Sequence, residues 1–366
     1  MIKKFLIMHQ TITTHDAIGN DIENMYNIIN KKFKCRAYAL NKFNKNIKYL
    51  ENDEINSWIN DKDTVIIYHH SVYWEEGERI IKNFPGTIII RYHNITPPSF
   101  FENYNAFHTS QCKKGREQTI SLAKNLKNAY WLSDSLFNKI DIQDDVLNDK
   151  IEILPPFNNI EKWAQSEVDE KILSELVFSN NLNVLFVGRI APNKGYTTLI
   201  ETIKYYRNSF DNNIKLRIIG KFDDGITEYN DLLMSLIGRY KLNNNIKFIG
   251  EINDSILMSY YLGSDIFLCA SEHEGFCVPI IESQYFKLPI VAVNECAIPD
   301  TIGKNQLLLR RDPKIIASAL YTLKSNPQWR IFLRENGLLN FENYYTYSVI
   351  KNKFIHIIRN WCGVEL

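Results

Sequence analysis

The sequence predicts an α/β protein made of two doubly wound, Rossmann-like domains. Short β-rich apolar runs alternate with longer helical patterns along the chain, which is typical of parallel sheets with helices on both faces. This alternation breaks once, around Pro155 and Pro156, and then restarts. The chain has 366 residues, about two domains at roughly 100–200 residues each. We therefore expect domains at 1–157 and 158–340 that face a central cleft, and a helical tail at 341–366 that packs back on the first domain.

Composition limits the classes of partner and compartment. With 43 basic and 42 acidic residues, the formal charge of +1 argues against nucleic acid as the partner of the whole molecule. The six cysteines show no CxxC spacing, so we expect reduced thiols in a cytoplasmic protein and no metal site built from them. No segment approaches the roughly 18 apolar residues of a spanning helix, and the start MIKKFLIMH is too short for a signal peptide. Any membrane contact is expected to be peripheral.

The segment at residues 31–48 is strongly basic. It holds no acidic residue and seven cations, which are Lys31, Lys32, Lys34, Arg36, Lys42, Lys45 and Lys48. Such a run can attract anionic lipid or a phosphorylated acceptor at the inner face of a cell membrane. The plainer interpretation is a solvated helix face and loop, and the sequence leaves both open.

The first half contains five strand candidates, KFLIMH, TVIIYHH, TIIIRYH, NAYWLS and KIEIL, with helical stretches such as DIENMYNIINKKF and REQTISLAKNL between them. Ligands of open α/β sheets bind beyond the carboxyl ends of the strands, so residues that follow strands are candidates for the site. Histidines end three of these runs, at His9, His69, His70 and His93. Gly19 is expected in the loop after the first strand, where a missing side chain lets a ligand come close. Packed histidines and a simple turn glycine are the alternatives.

In the second half the strand candidates are NVLFVGR, KLRIIG, IKFIG, IFLCAS, LPIVAV and QLLLR. The stretch GRIAPNKG, residues 188–195, follows the first of them. Gly188 permits a tight exit from the strand, and a helix is expected to open near Gly195. Arg189 and Lys194 place two cations at the carboxyl edge of the sheet, an arrangement that suits a diphosphate. Plain surface charges in a loop are the alternative.

The stretch SEHEGFCVPIIE, residues 271–282, forms a second strand-to-helix turn with Pro279 near the start of the helix. Gly275 and its neighbours present backbone N–H groups at a helix amino end, which favours a phosphate. Glu282, expected on the first turn, can accept hydrogen bonds from ribose hydroxyls, and Glu274 can do the same for a sugar. The spacing therefore brackets a nucleotide-sugar, although Glu282 could instead only complement the helix dipole.

A possible metal motif occurs at residues 61–63, where DKD has a DxD form whose two carboxylates could hold a divalent cation. It precedes the strand TVIIY, so Asp61 and Asp63 should lie at the amino edge of the sheet, away from the crevice. We interpret the motif as a solvated loop and expect no metal site.

The motifs GRIAPNKGYTTLIETI, SEHEGFCVPIIE and LPIVAVNECAIPDTIG, in this order and spacing, resemble the retaining GT-B glycosyltransferases of family GT4. The resemblance covers the second domain and is looser in the first half, at DAIGND and YHNITP. It implies that Arg189 and Lys194 hold the donor diphosphate, that Glu282 holds the ribose and Glu274 the donor sugar, and that His93 lines the sugar pocket. Gly275 and Phe276 would offer backbone amides. The chain departs from the family at Cys277, where a second glycine is common, and at Asp300, where glutamate is usual.

The expected function is a metal-independent, retaining transfer of a sugar from a nucleoside diphosphate-sugar to a glycan or lipid-linked glycan. Arg189, Lys194, Glu274 and His93 are the candidate catalytic residues, and no cofactor is expected. Bacterial surface polysaccharide or lipopolysaccharide synthesis is the implied setting. A nucleotide-sugar epimerase on the same fold and a non-catalytic nucleotide-sugar binding protein are the alternatives.

Overall fold

The computed structural model describes residues 2–14, 16–51 and 53–366, and the chain divides into two compact units. The first unit comprises the chain up to Pro98, Phe107–Asn159 and Thr346–Leu366. The second unit comprises Ser99–Ala106 and Ile160–Tyr345. Each unit contains one large parallel sheet with helices around it, which confirms the predicted α/β class. The short segment Ser99–Ala106 was not expected to pack with the second unit.

The first unit is built on a parallel sheet with the strand order β3-β1-β5-β6-β7-β8, and β2 pairs separately with β4. Its strands are β1 Lys4–Met8, β2 Thr11–Ile12, β3 Lys34–Tyr38, β4 Asn41–Lys42, β5 Thr64–His70, β6 Thr87–Tyr92, β7 Tyr130–Ser133 and β8 Ile151–Ile153. Its helices are α1 Ala17–Ile29, α2 Ile55–Ile59, α3 Glu75–Lys82, α4 Ala106–Asn125 and α5 Leu136–Ile142. Side chains of β5 alternate between two apolar cores, one containing Val65 and Ile67 and the other Ile66 and Tyr68, as a strand covered on both faces requires.

All five strand predictions in the first half are confirmed, but β3 and the two-residue strands β2 and β4 were not predicted. The interpretation of residues 31–48 as a helix face and loop is wrong for Lys34–Tyr38, which forms an edge strand beside β1. Lysine is favoured on edge strands, where it discourages pairing with another chain, and this charge concealed the alternating burial of Cys35 and Ala37.

The second unit has the strand order β11-β10-β9-β12-β13-β14, again parallel. Its helices are α6 Ile160–Trp163, α7 Glu170–Val177, α8 Tyr196–Ser209, α9 Thr227–Arg239, α10 Asp254–Gly263, α11 Val278–Tyr285, α12 Ile298–Ile302, α13 Pro313–Ser325 and α14 Pro327–Tyr344. Its strands are β9 Leu182–Val187, β10 Ile214–Ile219, β11 Ile246–Gly250, β12 Ile266–Cys269, β13 Ile290–Val293 and β14 Leu307–Leu309. All six strand predictions in this half are confirmed. The chain winds in one direction from β9 to β11 and in the other from β12 to β14, so the topological switch point lies between β9 and β12.

The end of the chain forms two helices rather than one helical stretch. After α14 the chain breaks at Tyr345 and Thr346, and α15, Tyr347–Cys362, begins under an N-cap in which Thr346 Oγ1 accepts from Val349 N at 3.3 Å. The buried face of α15 carries Ile350 and Phe354 into the core of the first unit, beside Phe157. Across the described residues, no helix combines the length and apolar character that spanning a bilayer requires.

Candidate functional site

The switch point of the second unit brings the loops after β9 and β12 into direct contact. The backbone carbonyl of Asn193 accepts hydrogen bonds from the N–H groups of Glu272 at 2.8 Å and His273 at 3.2 Å. The Asn193 side-chain amide donates to the His273 carbonyl at 3.0 Å. This buried asparagine therefore joins the two motifs that the sequence singled out separately. Sequence reasoning missed Asn193, because only the strand order reveals that these two loops are neighbours.

Gly195 is where the first of these loops turns into α8. Its backbone is left-handed, with φ of 69°, and a Cβ placed there would overlap the carbonyl oxygen of Ala270. A glycine is thus required both by conformation and by close packing. Because α8 begins at Tyr196, the partial positive charge of its amino end lies at this junction.

Lys194 and Glu274 form an ion pair across the two loops, with Nζ and Oε1 separated by 2.7 Å. Their side chains are 22% and 10% exposed, so the pair is largely shielded while its outer side stays open to a ligand. Burial by itself lowers the pKa of Lys194, but the neighbouring Glu274 carboxylate outweighs it and the pKa is raised. Lys194 is therefore a permanent cation, and its ammonium group has further N–H donors besides the one used by Glu274.

Arg189 follows β9 as predicted, but its side chain contacts Asp223 rather than Glu274. Its side chain is 57% exposed, and Nη1 approaches Asp223 Oδ2 at 3.4 Å, a weak contact. The backbone around it is held firmly, since the Tyr196 hydroxyl donates to the Gly188 carbonyl at 2.8 Å. The structure thus brings Lys194, and not Arg189, into contact with Glu274.

Gly275, Phe276 and Cys277 lead into α11, and Cys277 is its N-cap. Cys277 has φ of 76° and ψ of 72°, the left-handed region that glycine favours. Its buried sulfur lies 3.8 Å from the sulfur of Cys269 at the end of β12, and both thiols are free. Cys277 therefore keeps the backbone conformation of a glycine, although the chain has a side chain there.

Glu282 lies just past the first turn of α11, close to where the sequence predicted it. It is the fifth residue of the helix, and its Oε2 accepts a hydrogen bond from the Tyr261 hydroxyl at 2.5 Å. Burial raises the pKa of Glu282 to about 7, even though the hydrogen bond from Tyr261 favours the charged form. Pro279 is the second residue of α11, as expected near the helix start. Because the helix already begins at Val278, Glu282 falls one residue beyond the predicted first turn.

In the first unit, His93 is held at both ring nitrogens. Nδ1 lies 2.9 Å from Asp134 Oδ2, and Nε2 lies 2.9 Å from Nδ1 of His69. If Nδ1–H donates to the carboxylate, Nε2 must accept from His69, so Asp134 sets the tautomer of the ring. The His93 side chain is only 6% exposed.

Asp21, His69 and His93 offer ligand atoms within 4.8 Å of one another, close enough to share a cation. Arg91 already occupies this cluster, because Nε lies 2.8 Å from Asp21 Oδ2 and Nη2 lies 2.8 Å from Asp134 Oδ1. The other Asp21 oxygen accepts from the Phe157 N–H at 2.8 Å. A buried guanidinium beside the carboxylate opposes a second cation, so these residues do not suit a metal ion.

The other histidine candidates have internal contacts. His9 Nδ1 lies 2.6 Å from the Thr11 carbonyl and Nε2 lies 2.9 Å from Ser71 Oγ, and burial lowers the pKa of His9 to about 4. His70 Nε2 lies 2.8 Å from Thr119 Oγ1 on α4, and burial lowers the pKa of His70 to about 3. Both are neutral packing residues at neutral pH.

Gly19 was expected in the loop after the first strand, but it lies in the first turn of α1. Its N–H donates to the N-cap residue Asp16 at 2.6 Å, and a Cβ at this position would overlap the Thr13 carbonyl oxygen. A packing requirement accounts for this glycine.

The DxD sequence lies at the amino edge of its sheet, as predicted. Asp61 is 3.0 Å from the Lys4 ammonium and Asp63 is 3.3 Å from that of Lys3, just before β5 begins. Both carboxylates are thus neutralised by lysines at the start of the neighbouring strand.

Comparison with known proteins finds a family match within the second unit. The model of the family described as glycosyl transferases group 1 matches residues 168–337. The capsular polysaccharide biosynthesis glycosyltransferase CapM of Staphylococcus aureus is 26% identical over 228 residues, which are 60% of this chain and 58% of that protein. The O-antigen chain mannosyltransferase B of Escherichia coli is 24% identical over 155 residues, 42% of this chain and 40% of that protein. The matched segment thus spans only about half the length of these relatives.

The fold extends over the whole chain. The crystal structure of Anabaena HepE in complex with UDP matches with a TM-score of 0.75 and 13% identity, covering 98% of this chain and all of that one. Parallel sheets in both units, the motifs at the switch point of the second unit, and the family match agree with one another. Residues 168–337 are therefore similar to the glycosyl transferases group 1, and the chain has the two-domain GT-B fold.

Proposed function

We propose that this protein is a hexosyltransferase that moves a sugar from a nucleoside diphosphate-sugar to a hydroxyl of a glycan or lipid-linked glycan. The observation that carries the proposal is the Lys194–Glu274 pair at the switch point, 2.7 Å apart beside the amino ends of α8 and α11. The similarity to CapM and to an O-antigen mannosyltransferase supports a role in bacterial capsular or O-antigen synthesis. The UDP complex of the similar HepE supports a nucleotide donor.

Different residues of the second unit bind different parts of the nucleotide-sugar donor. Lys194 uses its remaining N–H donors on the diphosphate, assisted by the amino ends of α8 and α11. Arg189 is exposed and only weakly paired, so its side chain is free to turn toward a phosphate. Glu282 accepts from the ribose hydroxyls, and Glu274 accepts from a hydroxyl of the sugar while it orients Lys194.

The reaction is a retaining substitution that requires no metal ion. The bond between the anomeric carbon and the diphosphate oxygen breaks, and the acceptor oxygen forms its bond to the same face of the sugar. The departing phosphate takes the acceptor proton. Fixed cations stabilise the charge that develops on the leaving group, which is commonly the largest electrostatic contribution to such a barrier. Activity should therefore survive dialysis against EDTA, and loss of activity that Mg²⁺ restores would contradict this part of the proposal.

We assign His93 to the sugar, with a restriction that its contacts impose. Both ring nitrogens are engaged, by Asp134 and by His69, so a sugar hydroxyl must either displace His69 or contact the ring edge. His93 then contributes to sugar binding and orientation rather than to proton transfer.

We also propose that the protein works at the cytoplasmic face of a membrane, through the basic segment at residues 31–48. Two large apolar side chains in this segment, Leu40 and Phe43, are 63% and 64% exposed. They lie beside the exposed lysines Lys42 and Lys45, a combination that suits an anionic bilayer surface. Binding to vesicles that contain anionic lipid, lost in Phe43→Ser with Lys45→Ser, would support this contact.

The function is tested by a thermal-shift screen of UDP, GDP, ADP and their sugars, followed by mass spectrometry of the products formed with lipid-linked acceptors. A sugar-extended acceptor is the expected product. Conversion of the donor into an isomer without transfer would identify an epimerase instead. A protein whose melting temperature no nucleoside diphosphate raises would not be a nucleotide-sugar enzyme at all.

A further inference from the structure

A separate cavity of about 340 Å³ lies at the amino edge of the second sheet. It is lined by the turn at residues 179–182, by Ser264 and Asp265 ahead of β12, and by side chains of α13 and α14. Leu182 begins β9, so this edge is opposite to the one that carries Lys194 and Glu274. The volume falls at the low end of small-molecule sites, roughly 300–1,000 Å³.

Three cations line this cavity and one of them is fully paired. Lys324 lies 2.8 Å from Asp211, outside the lining. Arg330 is 4.0 Å from Asp265, whose other oxygen already accepts from the Asn183 N–H at 2.9 Å. The same carboxylate is the charge that acts to raise the pKa of Arg334, against the lowering by burial and by Arg330. Two guanidinium groups thus face one carboxylate, and the cavity carries surplus positive charge.

Two buried polar atoms at the cavity lack a hydrogen-bond partner within the described ranges 2–14, 16–51 and 53–366. They are Nε of Arg334 and the hydroxyl oxygen of Ser264, a residue only 6% exposed. Unsatisfied buried donors are costly, and native proteins seldom keep them without a ligand, ion or water. Both side chains are donors, and both line the same cavity.

The two arginines also repel each other. Arg330 and Arg334 lie at i and i+4 on α14, a spacing at which like charges destabilise a helix. Burial, and then the charge of Arg330, lower the pKa of Arg334. An anion between the two guanidinium groups would remove the repulsion and would accept from the unpaired Nε–H.

We propose that this cavity is a binding site for the phosphate group of a small phosphorylated metabolite, held by Arg330, Arg334 and the Ser264 hydroxyl. Guanidinium forks match the geometry of phosphate oxygens, and a serine hydroxyl is a common third donor. The space beyond the arginines, next to Val177 and Leu262, leaves room for the rest of such a molecule. The site is distinct from the donor site, because it lies at the other edge of the sheet.

The test is calorimetric titration of the full chain with inorganic phosphate. Phosphate can also bind at the donor site, so Lys194→Ala is included to separate the two. Affinity should fall at least ten-fold in Arg334→Gln and in Ser264→Ala, and it should be unchanged in Lys194→Ala. The matched control is Arg310→Gln, whose side chain is 77% exposed in the same unit.

Stability provides a second measurement. Without phosphate, Arg334→Gln should melt at or above the wild-type temperature, because the repulsion and the unsatisfied donor are removed. With phosphate, the wild type should gain melting temperature and the variant should not. In the Lys194→Ala background, phosphate binding that survives both Arg334→Gln and Ser264→Ala would overturn the proposal, as would binding that disappears in Lys194→Ala alone.

Discussion

Lys194 carries a positive charge that its surroundings stabilise before any ligand binds. Its ammonium group is buried against Glu274, and that carboxylate raises its pKa, so the positive charge is fixed before any ligand arrives. A charge already in place needs no reorganisation when a phosphate departs.

Lys194→Ala should lower kcat by about 10²–10³-fold, on the order of a lost preorganised donor, with a much smaller effect on the melting temperature. The measurement is steady-state kinetics with the donor identified by the nucleotide screen. Lys247→Ala is the control, because Lys247 is an exposed lysine of the same unit, on the edge strand β11. A kcat near the wild-type value would remove Lys194 from the mechanism.

The raised pKa of Glu282 predicts that the stability of the folded protein depends on pH. Its pKa in the folded protein is raised to about 7, above the ordinary value, so the folded state retains a proton that the unfolded state loses. The associated stability is complete at low pH and declines as pH rises toward 7. Glu282→Gln should therefore gain stability relative to the wild type between pH 5 and pH 8, as followed by urea unfolding at each pH.

The same titration should affect nucleotide binding. Ribose hydroxyls donate more strongly to a carboxylate than to a carboxylic acid, so binding of the nucleotide should tighten as pH rises through 7. Glu282→Gln serves as the control for ionisation of the nucleotide phosphate, which both proteins experience equally. An identical pH profile in the two proteins would show that Glu282 does not contact the ribose.

At the scale of the secondary-structure elements, the turn into α11 has the left-handed backbone conformation that glycine favours, although residue 277 is a cysteine. Cys277 has φ of 76°, which costs a non-glycine residue roughly 1–2 kcal/mol. The chain therefore tolerates strain beside the proposed phosphate position.

Cys277→Gly should relieve this strain and leave the melting temperature and kcat close to those of the wild type, since the lost thiol burial offsets part of the gain. Cys277→Val should destabilise the protein by about 1–3 kcal/mol, because a β-branched residue fits this region poorly. Thermal unfolding of both variants distinguishes them. Equal stability of the glycine and valine variants would mean that the turn changes conformation easily.

At the scale of the whole molecule, the chain returns to its first unit after completing the second. Helix α15 buries Ile350, Phe354, Ile357 and Ile358 in that core, and the indole of Trp361 stacks on the Tyr130 ring at 4.7 Å. The first unit is therefore complete only after the last helix has been made.

Phe354→Ala should destabilise the first unit by about 3–5 kcal/mol, as expected for removing a buried aromatic ring. Hydrogen exchange is the suitable measurement, because it reports each unit separately. Protection should fall in β1 and β5 and persist in β9 and β12. Asn352→Ala, an exposed position on the same helix, is the control, and a comparable loss there would argue against a packing role for α15.

Local sequence patterns determined most of the helices and strands of this protein. Apolar runs predicted β1 and β5–β14. Lys34–Tyr38 was missed because an edge strand that begins with the exposed Lys34 lacks the apolar signature of a buried strand. Turn glycines and Pro279 marked the two strand-to-helix junctions that hold Lys194 and Glu274. These features depend on neighbouring residues, which the sequence displays directly.

Only the tertiary structure decided which of these residues meet. Lys194 and Glu274 are 80 positions apart, and they pair because β9 and β12 are adjacent in the sheet and Asn193 joins their loops. Arg189 pairs with Asp223 instead, and His93 is enclosed by Asp134 and His69. Contacts between distant parts of a chain follow from the strand order and from close packing, and no single stretch of sequence carries that information.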